Sequence, residues 1–286
     1  MLYFMRNYTT SLILILSLLF ISCNKADVLD RGNILPPDET GQVPILFTTD
    51  SFDAVVTTKA TAVTTLPSFK VSATTGNAGS ETSKWNSVTF SGTSSYSGGK
   101  YWPSSNPSYH FYAANTDITF NAAGCTVAPA DASTDIVCAY LASPKYKASN
   151  ALTFDHIYAR ISKLTLNAPS GCTLSNVTWA LSAPVGGTYN LRTGAWTPGT
   201  ASAQTIAGGA SSTNDLYVVP GTYELTCTYT ITKGDYTETH TKKADVTLQK
   251  GKINAITGTA VDGSTAIAFT VSVSPWGNAS LTATWK

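Results

Sequence analysis

From Tyr223 to Thr232 the chain alternates strictly between apolar and polar. Tyr223, Leu225, Cys227, Tyr229 and Ile231 fall on one side, with Glu224, Thr226, Thr228, Thr230 and Thr232 on the other. A period of two marks a strand with one buried and one wet face. Lys233-Gly234-Asp235 interrupts the run, and Tyr236 to Leu248 resumes it in a more polar form. The two segments therefore predict a hairpin. The same alternation places Val43, Ile45 and Phe47 on one face of a first strand, Val43–Thr48, and recurs at Ile267, Phe269, Val271 and Val273. Pro275-Trp276-Gly277-Asn278 then makes a turn before a last strand, Leu281–Trp285, whose Leu281, Ala283 and Trp285 share a side. Ile136 to Leu141 is apolar throughout, as a strand buried on both faces would be.

One segment changes phase. Ile157, Ala159 and Ile161 share a face, but Leu164 and Leu166 fall on the opposite one. Because a one-residue slip flips every side chain, this marks a bulge or a change of sheet. A domain boundary is expected there, around residues 160–168. Short strands at regular spacing on either side argue for an all-β chain of two tandem β-sandwiches, 43–165 and 166–286. Residues 55–65 carry no strand alternation and no large apolar residue before Leu66, so they read as an exposed, cleavable loop whose one basic residue is Lys59.

The first residues read differently. Arg6 precedes an apolar run from Leu12 that closes on Ser22-Cys23, too short to span a bilayer as a permanent helix. Residues 1–22 read as a signal peptide of the lipoprotein kind, with Phe20 where such signals usually place leucine. The chain would be cut before Cys23 and acylated on its sulfur and its new amino group. Two or more acyl chains hold a protein on a membrane stably, where one holds it only marginally. Residues 24–42, polar and bearing Pro36 and Pro37, would form a tether from the lipid to the first domain.

Composition supports this reading. Threonine, serine, valine and tyrosine abound and only four glutamates occur, which suits strands rather than helices. After residues 1–22 the basic residues number seventeen (18 less Arg6) against seventeen acidic ones, so there is no electrostatic case for nucleic acid. No Gly-x-Ser-x-Gly elbow, His-Glu-x-x-His or phosphate-cradling glycine loop occurs. No enzyme activity and no cofactor are expected. His110, His156 and His240 lie far apart inside strand patterns and read as structural. Beyond Cys23 there are four cysteines, which permit three pairings. The least demanding joins Cys125 to Cys138 and Cys172 to Cys227, each within one domain; buried free thiols are the alternative. An aromatic cluster, Tyr101, Trp102, Tyr109, Phe111 and Tyr112, would either stack on sugar rings or pack in a core.

In order and spacing, these residues resemble the fimbrillin family of lipoproteins, of the Mfa-like branch: subunits of the type V pili of Bacteroides-like bacteria. The resemblance rests on the signal ending at Cys23 and on Thr57-Thr-Lys-Ala-Thr61 followed by Leu66-Pro-Ser-Phe-Lys-Val-Ser-Ala73. It also rests on Tyr101-Trp-Pro103 with Tyr109-His-Phe-Tyr-Ala113, and on Asp135-Ile-Val-Cys-Ala139 with Leu152-Thr-Phe-Asp-His156 and Ala159-Arg-Ile-Ser-Lys-Leu164. In the second half only the strand pattern, Val218-Val-Pro-Gly-Thr222 and the length support it. The resemblance implies transthyretin-like sandwiches, export to the outer membrane surface, and a trypsin-like protease that cuts after a basic residue beyond the first strand. Here that cut is Lys59–Ala60, with lysine where the family usually shows arginine; Arg31 is the other early site. The first strand (Val43, Ile45, Phe47) would leave, and a strand of a neighbouring fimbrillin subunit would replace it, with Leu281, Ala283 and Trp285 as candidate donor. The expected function is a structural and adhesive pilus subunit with a host or bacterial surface as its target. The alternative is a surface lipoprotein that binds glycans without polymerising.

Overall fold

The structure, a computed structural model, describes residues 37–38, 41–49, 66–121, 123–129, 134–204, 206–261, 269–275 and 281–282. Among these the regular structure is entirely β. Cys23, Arg31, Lys59, Ala60, Ala283 and Trp285 lie outside the described residues.

The first strands are β1 (Pro44–Thr49), β2 (Ser68–Thr75), β3 (Thr82–Gly92), β4 (Tyr96–Tyr101), β5 (Tyr109–Ala114), β6 (Thr119–Asn121) and β7 (Gly124–Val127). The middle of the chain holds β8 (Val137–Leu141), β9 (Asn150–Leu152), β10 (Asp155–His156), β11 (Ala159–Asn167), β12 (Thr173–Ala183), β13 (Gly187–Asn190) and β14 (Ala195–Pro198). The remainder is β15 (Ser202–Gln204), β16 (Ser211–Val218), β17 (Gly221–Lys233), β18 (Tyr236–Leu248), β19 (Lys252–Thr259), β20 (Phe269–Pro275) and β21 (Leu281–Thr282).

Eight strands of the first half form one sheet in the order β10-β8-β5-β2-β3-β4-β1-β9. Three strands separate β1 from β5, so a flat sheet would hold them about 19 Å apart. Yet the Phe47 and Phe111 ring centres lie 5.0 Å apart. The sheet must therefore curl over its own inner face. Register shifts in the β2–β3 pair supply the bend. Gly98 on β4 permits the close approach, since a Cβ there would sit 2.6 Å from the Phe90 ring. The enclosed core is strongly aromatic: Phe47, Phe69, Phe90, Tyr96, Trp102, Tyr109 and Phe111 meet within it.

Strands β5 and β8 carry a second core on their other face. Phe111 and Val137 point into the first core, and Tyr112 and Cys138 into the next. The reading of Ile136–Leu141 as doubly buried is borne out over Ile136, Val137, Cys138 and Ala139, while Tyr140 and Leu141 are half-buried. The second core is covered by a four-stranded sheet, β14-β13-β7-β6.

The second half is a sandwich of a five-stranded sheet, β16-β11-β19-β20-β21, on a four-stranded one, β15-β12-β17-β18. Its core is mainly aliphatic, with Ile161, Leu164, Leu181, Leu225, Ile231, Ile256 and Val271 at its centre. The expected hairpin is β17–β18, closed at Lys233↔Tyr236 around Gly234, whose φ of 60° suits a two-residue turn. The predicted phase change is a bulge in β11 between Ile161 and Lys163, which buries both Ile161 and Leu164.

The expected division at residues 165 and 166 does not follow the sheets. Strand β11 already pairs with β16 and β19, so the second sandwich begins at Ala159. Conversely β13 pairs with β7, and the β13–β14 hairpin completes a sheet of the first half. Alternation within a strand records which face is buried but not which distant strand lies beside it, so the sequence could not show this exchange.

Candidate functional site

Strand β1 and the slot that holds it are the candidate assembly site. The sequence makes it a strand by alternation alone. Ile45 and Phe47 are fully buried, Val43 nearly so, and Leu46 and Thr48 face outward. Pro44 opens the strand, a position where its missing N–H is tolerated. On one side β1 runs antiparallel to β4 with Pro44↔Tyr101 and Phe47↔Tyr96 in register. On the other it runs parallel to β9 with Phe47↔Asn150 and Thr49↔Leu152. The Trp102 N–H donates to the Val43 carbonyl at 2.9 Å.

The slot floor is a set of rings. Phe47 meets Phe111 and Phe90 edge-on, at 5.0 and 5.1 Å, and Phe69 at 6.4 Å. Burying Phe47 and Ile45 contributes about 2 kcal/mol each relative to exposure. Phe69, Phe90 and Phe111 come from three different strands. Each was visible only as an apolar position in its own strand, so sequence reasoning missed the slot floor. Leaving, β1 would bare these rings and the backbone edges of β4 and β9. Strand β9 is a firm second wall, because Asn150 accepts from the Lys145 N–H at 2.6 Å and donates to the Lys145 and Ala148 carbonyls.

The aromatic cluster considered for sugar stacking is not presented to solvent. Trp102, Tyr109 and Phe111 lie in the core beneath β1, and Tyr112 is buried on the other face of β5. Only Tyr101 of the five is exposed. In this sequence aromatics alternate in and out of a curled sheet, which buries the faces that sugar stacking would need.

The four described cysteines are free thiols, so neither expected bridge is present. For Cys172 and Cys227 the register excludes one. Thr173 pairs with Thr232 and Trp179 with Cys227, so Cys172, one residue before Thr173, lies more than five residues from Cys227 along β17, upwards of about 17 Å. A disulfide needs Cα atoms within about 7 Å. Burial pushes the Cys227 thiol up to about 12. Burial, then the nearby Glu81 charge, does the same for Cys125, also to about 12.

The histidines are held separately. His110 bonds the Gly76 carbonyl and the Tyr140 hydroxyl, His156 pairs with Asp135 at 2.8 Å, and His240 lies 3.2 Å from Glu238. Among the described residues no three His, Cys, Asp or Glu side chains come together as a metal site. The polar centre that sequence reasoning missed is Glu81. Fully buried, it accepts from Thr74, Tyr112 and Arg192. Arg192 lies between β13 and β14 and so reaches across from the second half of the chain. A lone Glu and a lone Arg 111 residues apart leave no pattern in a sequence.

At the other end of the chain, β21 pairs antiparallel with β20 at a sheet edge, Val273↔Leu281 and Ser272↔Thr282. Of the candidate donor residues, only Leu281 is among those described.

A family profile described as fimbrillin-like matches residues 48–276. Solved structures similar to this chain include a fimbrial assembly protein from Parabacteroides distasonis, at 12% identity over 85% of this chain and 99% of that one, with a TM-score of 0.44. A candidate cell adhesion protein from Bacteroides eggerthii is 13% identical over 85% of this chain and 98% of its own, with a TM-score of 0.47. No curated protein matches.

Proposed function

Because the chain belongs to the fimbrillin-like family, we propose that it is a fimbrial subunit of the cell surface that assembles by exchanging β1 for a strand of a neighbouring subunit. One observation carries this reading. Strand β1 is six residues long, inserted between β4 and β9, and its inner face is buried on a floor of aromatic rings. Such a slot, once emptied, offers unpaired backbone and apolar area to another strand.

Strand β1 ends at Thr49 and β2 begins at Ser68. The connection between them has one basic residue, Lys59. Cutting Lys59–Ala60 would sever β1 from the rest of the first sheet. It would also sever the body of the protein from a lipid on Cys23, so opening the slot and leaving the membrane would be one event. The lost burial, at about 25 cal/mol per Å² of apolar area, is recovered only when another strand enters. The incoming strand is that of another fimbrillin subunit, and Leu281, Ala283 and Trp285 offer the same alternate spacing as Val43, Ile45 and Phe47. The outer membrane, reached through the lipid, and the processing protease are its other partners, and a host or bacterial surface is its adhesion target. Glycan binding without assembly has no observation in its favour, because the aromatic cluster that suggested it is mostly buried.

The test is limited trypsin digestion of the lipid-free protein, followed by sizing. Cutting after Lys59 should convert monomer into polymer. A chain cut there that stays monomeric at high concentration, or that resists cutting, contradicts the reading.

A further inference from the structure

The mouth of the β1 slot holds a buried polar group with nothing to bond. Trp102 directly follows β4, and its backbone N–H donates to the Val43 carbonyl. The Pro44↔Tyr101 pair one step away sets Val43 directly across from Trp102. Both side chains are buried in the same core. The indole is boxed by Tyr109, Phe111 and Tyr146, with ring centres at 5.8, 5.9 and 5.4 Å. None of these accepts from the indole: Phe111 has no polar atom, neither the Tyr109 nor the Tyr146 hydroxyl bonds Nε1, and the Tyr146 hydroxyl donates to the Pro103 carbonyl. Trp102 itself is 5% exposed, and among the described residues its Nε1–H has no hydrogen-bond partner.

We propose that Trp102 is a specificity-determining residue of the slot, favouring an incoming strand with a hydrogen-bond acceptor (Thr, Ser or Asn) where β1 carries Val43. The proposal rests on the strand-exchange reading. A buried donor without an acceptor destabilises whatever state contains it. Directly opposed residues of an antiparallel pair hold their Cβ atoms about 5 Å apart, so position 43 is the part of a slot occupant nearest Trp102. Valine presents only methyls there. The far end of the slot asks for nothing polar, because Tyr96, opposite Phe47, already donates its hydroxyl to the Thr93 carbonyl. The slot therefore reads acceptor, apolar, aromatic at alternate positions. Strand β1 satisfies the last two and not the first. An incoming strand that satisfies all three gains a hydrogen bond that β1 cannot make, which gives the exchange a direction. Aligned with Trp285 in the place of Phe47, this chain's own Leu281 falls opposite Trp102 and brings no acceptor. The favoured donor is then a strand from a different subunit.

Two measurements test this. In the uncut chain, Val43→Thr is made with Trp102 present and with Trp102→Phe, and urea midpoints are compared. With Trp102 the threonine should leave the midpoint unchanged or raise it, and with phenylalanine it should lower it. Equal lowering in both overturns the proposal. In the chain cut after Lys59, two peptides of the β1 sequence are titrated, with Val or Thr at position 43. The Thr peptide should bind about fivefold tighter, the factor supplied by one net hydrogen bond, and Trp102→Phe should erase the preference. Equal binding of both peptides to the Trp102 protein also overturns it. Failure of every peptide to bind, with the uncut cycle positive, overturns strand exchange and upholds the Trp102 contact.

Discussion

The two halves of this chain close their cores in opposite ways. The second half uses chain neighbours. Strands β17 and β18 form one continuous hairpin from Gly221↔Leu248 to Lys233↔Tyr236, and Leu225, Cys227, Tyr229 and Ile231 line the core from consecutive inward positions. The first half closes its core with a strand from far away in sequence. Strand β1 pairs with β4 some fifty residues on, and in parallel with β9 about a hundred on. A hairpin cannot leave its partner without unravelling from its own turn, whereas β1 is joined to its sheet only by pairing, burial and a connection that one cut would sever. Under the proposed strand exchange, local pairing makes the permanent wall and distant pairing the replaceable one.

The sharpest way to break this comparison is to weaken each wall in turn. Phe47→Ala should destabilise the intact chain by about 3–5 kcal/mol, because its ring sits among Phe69, Phe90 and Phe111. It should also loosen β1 from β4, seen as faster amide exchange in residues 45–49 and 96–101 before global unfolding. Leu225→Ala should cost about 2–5 kcal/mol and shift global unfolding without selectively releasing β1. If both variants protect β1 equally, the two walls are not different in kind.

Glu81→Gln probes the contact between halves. It leaves the partly exposed Arg192 facing a neutral amide on the buried side of the pair, and should cost about 1–3 kcal/mol in chemical denaturation. The loss should be matched by freer exchange in β13 and β14, which reach the first half only through β7 among strand partners. The smallest effect belongs to the outer face of the hairpin. Lys243 pairs with Glu224 at 2.7 Å with both side chains more than half exposed. Lys243→Ala should therefore change stability by less than about 1 kcal/mol.

Much of the fold is legible in local alternation. Strands β1, β17, β18 and β20 each show a period of two because each has one buried and one wetter face. The bulge in β11 shows as a phase change because Ile161 and Leu164 must both reach one core. Other features are not legible, for one physical reason. The curl that brings Phe47 onto Phe111, the crossing of β13 to β7, and the Glu81–Arg192 pair all depend on which distant strands are neighbours. Periodicity in a single strand carries no information on that. The same limit explains the aromatic residues of 101–112, whose composition suits either a surface that stacks sugars or a core. Only the curl of the sheet puts Trp102, Tyr109 and Phe111 inside.

The most direct test of the account is the composition of the assembled material. Purified polymer, formed after cutting at Lys59, should be analysed by peptide mass spectrometry under denaturing conditions. The account predicts that the segment containing Val43–Thr49 is absent and that the chain in the polymer begins at Ala60. Polymer that retains the first strand in stoichiometric amount would contradict it, because the slot on which the account depends would still be filled by its own strand.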